Sequence, residues 1–395
     1  MKKIAFLASG HAGSTMPLIK SFIDKGYHVD YYILCNKVIN QIEATDCKYI
    51  PQKRGIEEIS SSNWPLLSDK YLKSNNVTIY SISTFRPFEK NIVLNKIIGL
   101  IRTIQIRKVC KYLDKQNYEF INFIGRYQVS DIIRYGRYLK SKYIVSLHEV
   151  CNHINPNFNR PNSVLRFLFK KQIPIILFSD KSIKDIKCYK GAEKASLYRE
   201  NFGKFDSFII YKGRKELTLP TNYVLFIGRL TPYKGLRLFY EATKELACKG
   251  YKFVIAGNGK DEALDEILKT PNYIVLNRYL TDEDFVELVE RCSFVVCPYT
   301  SISQSGIPQT VFVFNKPIIA TNLTGFREII KDQENGLLFP LSDSTSLKEK
   351  IEKLLTDKDL QKRLVEGVKD FNKLCSEYSW DNISDKYLAD FCNIH

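Results

Sequence analysis

The chain has 395 residues, of which 44% are apolar and 26% are charged, and its formal net charge is +16. This length suits two domains of roughly 150 to 200 residues each, and the apolar fraction excludes general disorder. The charge is uneven: residues 1–200 hold 33 Lys and Arg against 16 Asp and Glu, and residues 201–395 hold 26 against 27. We therefore expect the first half to face an anionic partner.

Short apolar runs alternate with helical segments along the chain and predict two α/β domains in series. The strands predicted for the first domain cover residues 3–7, 28–34, 77–82, 120–124, 143–147 and 175–178. Those predicted for the second domain cover residues 224–227, 253–256, 273–276, 294–297 and 318–320. A first helix is predicted over 16–25, a linker between Gly203 and Pro220, and a second domain starting near Asn222.

The loop after the first strand contains Gly10 and Gly13. It lacks the third glycine and the spacing of a dinucleotide fingerprint, which disfavours NAD binding. Backbone N–H groups at the start of the following helix suit a phosphate, and a tight turn without a ligand is an equal alternative.

The central candidate site lies at two strand ends of the second domain. One buried strand ends in Gly228, followed by Arg229 and Lys234, and the next ends in Gly257 and Gly259. Glycine lets a ligand meet the backbone, and two fixed positive charges at the ligand crevice of a parallel sheet suit a diphosphate. The alternative is a pair of tight turns with solvated basic residues.

His148 and Glu149 follow an apolar strand of the first domain. A lone histidine is more often structural, but one at the carboxyl end of a strand beside a carboxylate is a functional candidate.

The sequence favours no metal site. Ten cysteines are present, and we expect them to be reduced because no paired ligand pattern accompanies Cys151 or the strand residues Cys292 and Cys297. The acidic run 282–284 fits a helix-capping pattern that begins at Thr281 better than a set of metal ligands.

Basic residues of the first half lie beside apolar ones, as in residues 97–102, which precede Arg107, Lys108 and Lys111, and in residues 165–171. This pattern suits a helix on anionic lipid, and a solvated basic face is the alternative. Nucleic acid is disfavoured because no recognition motif is present. Residues 4–7 form too short an apolar run for a signal peptide, so we expect a cytoplasmic protein bound peripherally to the inner face of the membrane.

Further motifs follow the fourth strand of the second domain. They read Pro298-Tyr299-Thr300, Gln304-Ser305-Gly306-Ile307-Pro308, Lys316-Pro317, Gly325, Glu328-Ile329-Ile330 and Asn335-Gly336-Leu337-Leu338. With the glycine and basic motifs above, their order and spacing resemble the nucleotide-sugar glycosyltransferases of family 4, which have the GT-B fold. The resemblance is strong over about 110 residues and weak elsewhere.

The resemblance implies an α/β protein with two Rossmann-like domains that face a central cleft. Residues 1–205 would bind the acceptor and residues 206–375 the nucleotide-sugar donor. Residues 376–395, which include Tyr378-Ser379-Trp380, would form a terminal helix that crosses back to the first domain.

It also implies a role for each matching residue. Arg229 and Lys234 would hold the donor diphosphate and stabilise it as it leaves, with His148 near the transferred sugar. Further donor contacts would come from Gly228, Gly257, Gly259, Arg278 and Tyr279 beside the base, Gln304, Ser305, Gly306, and Thr310 at the ribose. The cleft loop of the first domain would present Gly10, His11, Gly13 and Ser14.

One departure concerns two glutamates that the family usually has around this loop, because Ile302 and Thr310 occupy their positions. Isoleucine cannot replace a carboxylate. With this resemblance, the sequence predicts a retaining hexosyl- or related glycosyltransferase of polysaccharide biosynthesis. It would move a sugar from a nucleotide diphosphate sugar to a glycan or lipid-linked acceptor, such as a lipid-linked or surface-polysaccharide precursor, without a cofactor or metal. The alternatives are a non-catalytic sugar-nucleotide binding subunit and an epimerase of the same fold.

Overall fold

The computed structural model describes residues 2–8, 11–35, 53–63, 69, 71–85, 92–125, 131–150, 162–302 and 305–392. These residues contain two sheets in succession, the first of eight strands and the second of six. All strand pairs except one are parallel, and helices connect the strands. The predicted arrangement of two α/β domains in series is confirmed.

The first sheet has the order β3-β4-β2-β1-β5-β6-β7-β8, and β3 pairs antiparallel to β4. Its strands are β1 Lys3–Ala8, β2 His28–Leu34, β3 Gly55–Glu58, β4 Val77–Ser83, β5 Ile121–Gly125, β6 Tyr143–Leu147, β7 Ile175–Leu177 and β8 Leu197–Arg199. The helices of this part are α1 Ala12–Asp24, α2 Ile92–Asp114, α3 Asp131–Gly136, α4 Ser163–Lys171 and α5 Asp180–Lys187.

The second sheet has the order β11-β10-β9-β12-β13-β14. Its strands are β9 Tyr223–Ile227, β10 Phe253–Ala256, β11 Tyr273–Leu276, β12 Cys292–Cys297, β13 Ile318–Thr321 and β14 Gly336–Phe339. The remaining helices are α6 Leu236–Cys248, α7 Leu264–Ile267, α8 Asp282–Arg291, α9 Ile307–Val313, α10 Thr324–Arg327, α11 Ser344–Thr356, α12 Lys358–Leu374 and α13 Trp380–Cys392.

Three strands and one helix start depart from the sequence predictions. Strands β3, β8 and β14 were not predicted, because β3 and β8 contain charged residues and β14 begins with a glycine. Helix α1 begins at Ala12 rather than at residue 16. The hydroxyls of Ser14 and Thr15 donate to the carbonyl of His11, so these polar residues belong to the first helical turn.

The last helix, α13, packs on the first domain. The Ser384 hydroxyl lies 2.7 Å from that of Ser21 on α1, and Tyr387 is fully buried. The Phe391 ring stacks on Phe120 with 3.4 Å between ring centroids. These contacts tie the end of the described chain to its beginning.

The segment between the sheets carries an aromatic series at intervals of three residues, namely Phe202, Phe205, Phe208 and Tyr211. Its last part is a 3₁₀-helix over Asp206–Tyr211. Each ring contacts the next, with centroid distances of 5.1, 6.1 and 6.0 Å. The Phe208 ring also lies against Gly13 of the first domain and Phe285 of the second, so the segment predicted as a linker packs against both domains.

Trp380, the first residue of α13, packs against the start of this segment. A Cβ at Gly203 would lie 2.5 Å from the Trp380 ring, and the Trp380 indole N–H donates to the Lys204 carbonyl. The ring thus fills a position that a side chain at residue 203 would otherwise occupy.

We predict that Trp380→Ala lowers the free energy of unfolding by about 3 to 5 kcal/mol, because a large buried ring leaves a cavity. Trp380 is 8% exposed. Chemical denaturation followed by circular dichroism measures the loss. The matched control is Leu374→Ala, at a side chain 75% exposed, which should shift stability by less than about 0.5 kcal/mol. Equal effects of the two substitutions would contradict the packing role of Trp380.

Candidate functional site

The candidate site lies at the carboxyl ends of β9 and β12. Strand β9 pairs with β10 on one side and β12 on the other. The chain continues from β9 to β10 and from β12 to β13, so the connections that follow these two neighbouring strands run in opposite directions along the sheet. A parallel sheet opens a ligand crevice at such a point. Gly228 follows β9, and Pro298 and Tyr299 follow β12.

Arg229 and Lys234 supply two positive charges to this crevice. The Arg229 side chain is exposed, and Lys234 lies in the 3₁₀-turn Pro232–Lys234. Neither forms an ion pair within the described parts of the chain. The pKa of Lys234 is lowered to about 8, mainly by burial and also by the Arg229 charge, while Cys297 and Glu149 of the first domain act in the opposite direction. Two cations without a paired carboxylate suit a ligand with more than one negative charge.

The predicted glycines have different neighbours. A Cβ at Gly257 would lie 1.9 Å from the Gly228 carbonyl oxygen, and one at Gly259 would lie 2.1 Å from that of Leu230. Neighbouring backbone therefore excludes side chains at both positions. At Gly228, by contrast, the nearest atoms belong to the Lys234 side chain, at 3.9 Å. Gly228 alone of the three faces the Lys234 ammonium.

The first domain presents two stacked histidines. The His11 and His148 rings lie 3.8 Å apart at an interplanar angle of 6°. His148 is 6% exposed and is enclosed further by Phe178 and Phe202, at 5.0 and 5.2 Å. His11, which precedes α1 with a left-handed backbone at φ 65°, is more exposed than His148. Two imidazoles this close repel one another when both are protonated.

The remaining cleft-loop residues are partly structural. Gly13 packs against the Phe205 and Phe208 rings, which a Cβ there would meet at 3.1 and 2.8 Å. Ser14 is buried, and its hydroxyl donates to the His11 carbonyl at 3.0 Å. Gly10 lies outside the described residues.

The segment after β11 combines a structural arginine with an exposed tyrosine. Arg278 donates two hydrogen bonds to the Asp284 carboxylate, one of them at 2.9 Å. Asp284 also completes a capping box with Thr281, as the sequence predicted, and Arg278 holds the pKa of this carboxyl well below its usual range. Tyr279 is 77% exposed. Of the two residues predicted to frame a base, Tyr279 is therefore the more exposed one.

The predicted donor residues around the start of α9 lie in different surroundings. Thr310, within α9, is buried and its hydroxyl donates to the Gly306 carbonyl at 2.9 Å, and its contact with a ribose stays a prediction. Ile302 is buried in the second-domain core. The Ser305 hydroxyl accepts from the Ile307 N–H at 3.2 Å. Gln304 lies outside the described residues.

Sequence reasoning missed the roles of Phe205 and Tyr299. A Cβ at Gly306 would lie 2.9 Å from the Phe205 ring, the same ring that packs against Gly13. The three-residue aromatic spacing was the available signal for Phe205. Tyr299 lies directly beneath the Lys234 ammonium, which is 3.8 Å from the ring centroid. No sequence pattern pairs these two residues, because they follow different strands.

The described residues contain neither a cluster of metal ligands nor a helix that could cross a membrane. No group of three or more His, Cys, Asp and Glu side chains is arranged to hold a metal ion there. Among the helices of the same residues, none combines the length and apolar character that crossing a bilayer requires.

Residues 210–371 match the family model for group 1 glycosyl transferases. An uncharacterised glycosyltransferase of Methanocaldococcus jannaschii is 32% identical over 44% of this chain and 50% of its own length. Campylobacter jejuni GalNAc-alpha-(1->4)-GalNAc-alpha-(1->3)-diNAcBac-PP-undecaprenol alpha-1,4-N-acetyl-D-galactosaminyltransferase is 26% identical over 80% of this chain and 85% of its own length. With several other relatives, the chain spans less than half of their length.

Solved structures are similar over the whole chain. Sucrose-phosphate synthase from Thermosynechococcus elongatus has a TM-score of 0.66 at 12% identity, covering 100% of this chain and 99% of its own. Anabaena HepE in complex with UDP and glucose has a TM-score of 0.64 at 15% identity, covering 100% of both chains. These likenesses confirm the GT-B fold. The resemblance to glycosyltransferases is confirmed, and the finer assignment to family 4 stays a prediction.

We predict that Arg229→Ala and Lys234→Ala each weaken nucleoside diphosphate binding by about 10-fold to 100-fold, because each removes a charged hydrogen-bond donor. Isothermal titration calorimetry with UDP and GDP measures the affinities. Lys362→Ala, at an exposed position of α12, is the matched control and should bind like the wild type. Wild-type affinity in both site variants would contradict the diphosphate assignment.

The affinity should also depend on pH. Lys234 loses its charge as pH rises through its pKa of about 8, so the wild-type affinity for a nucleoside diphosphate should fall severalfold from about pH 7 to about pH 9.5. Lys234→Arg stays charged throughout and should show a flatter profile. Identical profiles for the two proteins would assign the pH dependence to another group.

Proposed function

We propose that this protein is a glycosyltransferase that transfers a sugar, with retention, from a nucleoside diphosphate sugar to a glycan or lipid-linked acceptor. The observation that carries the proposal is the pair of cations at the carboxyl end of β9. Arg229 and Lys234 lack carboxylate partners in the described chain and lie where a parallel sheet binds its ligand. The family match over residues 210–371 supports the same reading.

The proposed reaction requires few protein side chains. The bond between the anomeric carbon and the diphosphate oxygen breaks, and the acceptor oxygen bonds to that carbon on the same face. The acceptor proton passes to an oxygen of the departing diphosphate. Arg229 and Lys234 stabilise the negative charge that develops there, an interaction worth about 100-fold to 1,000-fold in rate when a single donor is removed.

The first domain supports the proposal of a lipid-linked acceptor at a membrane surface. The first half of α2 exposes large apolar side chains at Ile92, Val93, Leu94, Ile97, Leu100, Ile101 and Ile104. The same helix exposes cations at Lys96, Arg107, Lys108 and Lys111. An apolar stripe flanked by cations suits the boundary between anionic headgroups and acyl chains. The name of the Campylobacter jejuni relative includes a diphosphate-linked undecaprenol, which agrees with this choice.

A cavity beside the stripe adds a place for a phosphate. It has a volume of about 220 Å³ and is lined by α2 and by Arg134, Arg137 and Tyr138. Arg102 of α2 also lines it, and Asp131 pairs with Arg102 and Arg134 at 3.0 Å. The described residues around the cavity thus place one carboxylate among three guanidinium groups, a balance that favours an anion.

One observation favours a non-catalytic binding subunit as the second candidate. Ile302 is buried in the core, and no carboxylate occupies the position where the family usually has one. An epimerase is the third candidate, and it would consume a nucleotide sugar without an acceptor.

A turnover assay separates the three. The protein is incubated with a panel of UDP- and GDP-sugars, with and without polyprenyl diphosphate-linked glycans, and both nucleoside diphosphate release and sugar products are measured. Acceptor-dependent release with a retained anomeric configuration supports the transferase. Donor binding without turnover on the full panel would overturn it in favour of the binding subunit, and acceptor-independent conversion would favour the epimerase.

We predict that His148→Ala lowers turnover while leaving nucleoside diphosphate affinity nearly unchanged, because His148 belongs to the first domain and Arg229 and Lys234 to the second. Steady-state kinetics and calorimetry measure the two quantities. Since His148 is buried among aromatic rings, the thermal unfolding curve of the variant serves as the folding control. A large loss of nucleotide affinity in a folded variant would contradict this division between the domains.

We also predict that the full-length protein binds vesicles containing anionic lipid and releases them as salt rises, because exposed charges are screened beyond roughly 8 Å at physiological ionic strength. Leu100→Glu should weaken binding. Co-sedimentation at low and high salt measures both effects.

The matched control is Leu268→Glu in the second domain, since Leu268 and Leu100 are 68% and 64% exposed. This control should leave binding unchanged. Equal loss in both variants, or binding that ignores salt, would contradict the assignment of α2 to the membrane surface.

A further inference from the structure

The Lys234 ammonium lies over the face of an aromatic ring. Its Nζ is 3.8 Å from the Tyr299 ring centroid and 5.3 Å from that of Tyr233. A cation within about 6 Å of a ring face is attracted by the ring quadrupole, and the attraction grows when the pair is partly withdrawn from water. Of the two rings, Tyr299 is the closer.

Tyr299 is itself held in one position. Its side chain is 1% exposed and packs against Phe326 and Tyr233, with ring centroids 5.2 and 6.3 Å away. Burial raises the pKa of Tyr299 well above its ordinary value, so the phenol stays neutral. Because the lysine side chain has many rotamers, an immobile ring beneath its ammonium narrows the positions that the charge occupies.

The backbones of the two loops are joined as well. The Thr300 N–H donates to the Tyr233 carbonyl at 2.8 Å. A Cβ at Gly235, where φ is 74°, would lie 1.9 Å from the Pro298 carbonyl oxygen, so the chain approaches Pro298 as closely as glycine allows. The loop that carries Lys234 and residues 298–300 therefore form one packed unit.

We propose that Tyr299 is a positioning residue of the donor site, whose ring face holds the Lys234 ammonium at the place where a donor diphosphate binds. The ring acts through Lys234 rather than on the substrate. This inference rests on the proposed function only in taking a diphosphate as the ligand. It predicts that the aromatic face of residue 299 matters and that its hydroxyl does not.

Three variants separate these properties. Tyr299→Phe keeps the ring face and removes the hydroxyl, which lies near Cys297 and Ser305 but meets no partner at hydrogen-bonding geometry among the described residues. Tyr299→Leu keeps apolar bulk without a ring. We expect the UDP or GDP affinity of Tyr299→Phe to stay within about 2-fold of the wild type. For Tyr299→Leu we expect a loss of affinity of about 2-fold to 30-fold, which is the range of a cation–π contact. In the Lys234→Ala background, Tyr299→Leu should cause no additional loss.

The second readout does not depend on any ligand. The acetylation rate of Lys234 in the ligand-free protein, followed by mass spectrometry against pH, reports when its amine loses a proton. Other charged or titratable groups acting on this amine are Arg229, Cys297 and Glu149, which the variants retain. The midpoint of the acetylation rate should move to lower pH in Tyr299→Leu, because the ring favours the charged amine. Tyr299→Phe keeps the ring and should leave the midpoint unchanged.

The outcomes separate this inference from the proposed function. If the wild type binds no nucleoside diphosphate, the proposed function fails, and the acetylation midpoints still decide whether the ring holds the charge. Wild-type affinity and midpoint in Tyr299→Leu would overturn the inference. Equal losses in Phe and Leu without a midpoint shift would also overturn it, because that result describes a residue that only maintains the fold.

Discussion

The arrangement of the two domains depends on the contact of one phenylalanine ring with two glycines. Phe205 lies between the domains, and its ring packs against Gly13 of the first and Gly306 of the second. A Cβ at either glycine would approach the ring to about 3 Å, closer than packing allows. Gly13 lies in the first turn of α1 and Gly306 at the N-cap of α9, so this contact brings the starts of these two helices together across the cleft. The interdomain ion pair between Arg199 and Glu328, at 3.2 Å, acts beside it.

The two halves of the cleft differ in character. The second domain presents the positive charges of Arg229 and Lys234 beside the backbone of Gly228, and the Lys234 ammonium lies over the Tyr299 ring. The first domain presents an aromatic wall in which His148 is enclosed by His11, Phe178 and Phe202. A negatively charged donor suits the cationic surface of the second domain, and a sugar ring that is apolar on its faces suits the aromatic wall of the first domain. Glu149, which acts electrostatically on Lys234 across the cleft, is the charged link between them.

Contacts of a few residues show which interactions could be predicted from the sequence and which could not. The capping box of Thr281 and Asp284 was predictable because all its partners lie within four positions. The ion pair of Arg278 with the same Asp284 was missed, although only six positions separate them, because motif resemblance assigned the arginine to a ligand. Thr310 likewise has a local partner in Gly306, which a helical i to i−4 hydrogen bond explains.

The sequence by itself determined the alternation of strands and helices, the division into two α/β domains and the cationic strand end, because each is encoded in neighbouring residues. Only the tertiary structure decided which glycines face a ligand and which merely admit a neighbouring backbone, as at Gly228 and Gly257. It also decided that Tyr299 lies under Lys234 and that Phe205 joins the domains. These contacts join residues far apart in the chain. The packing of whole domains, which no local pattern contains, sets such distances.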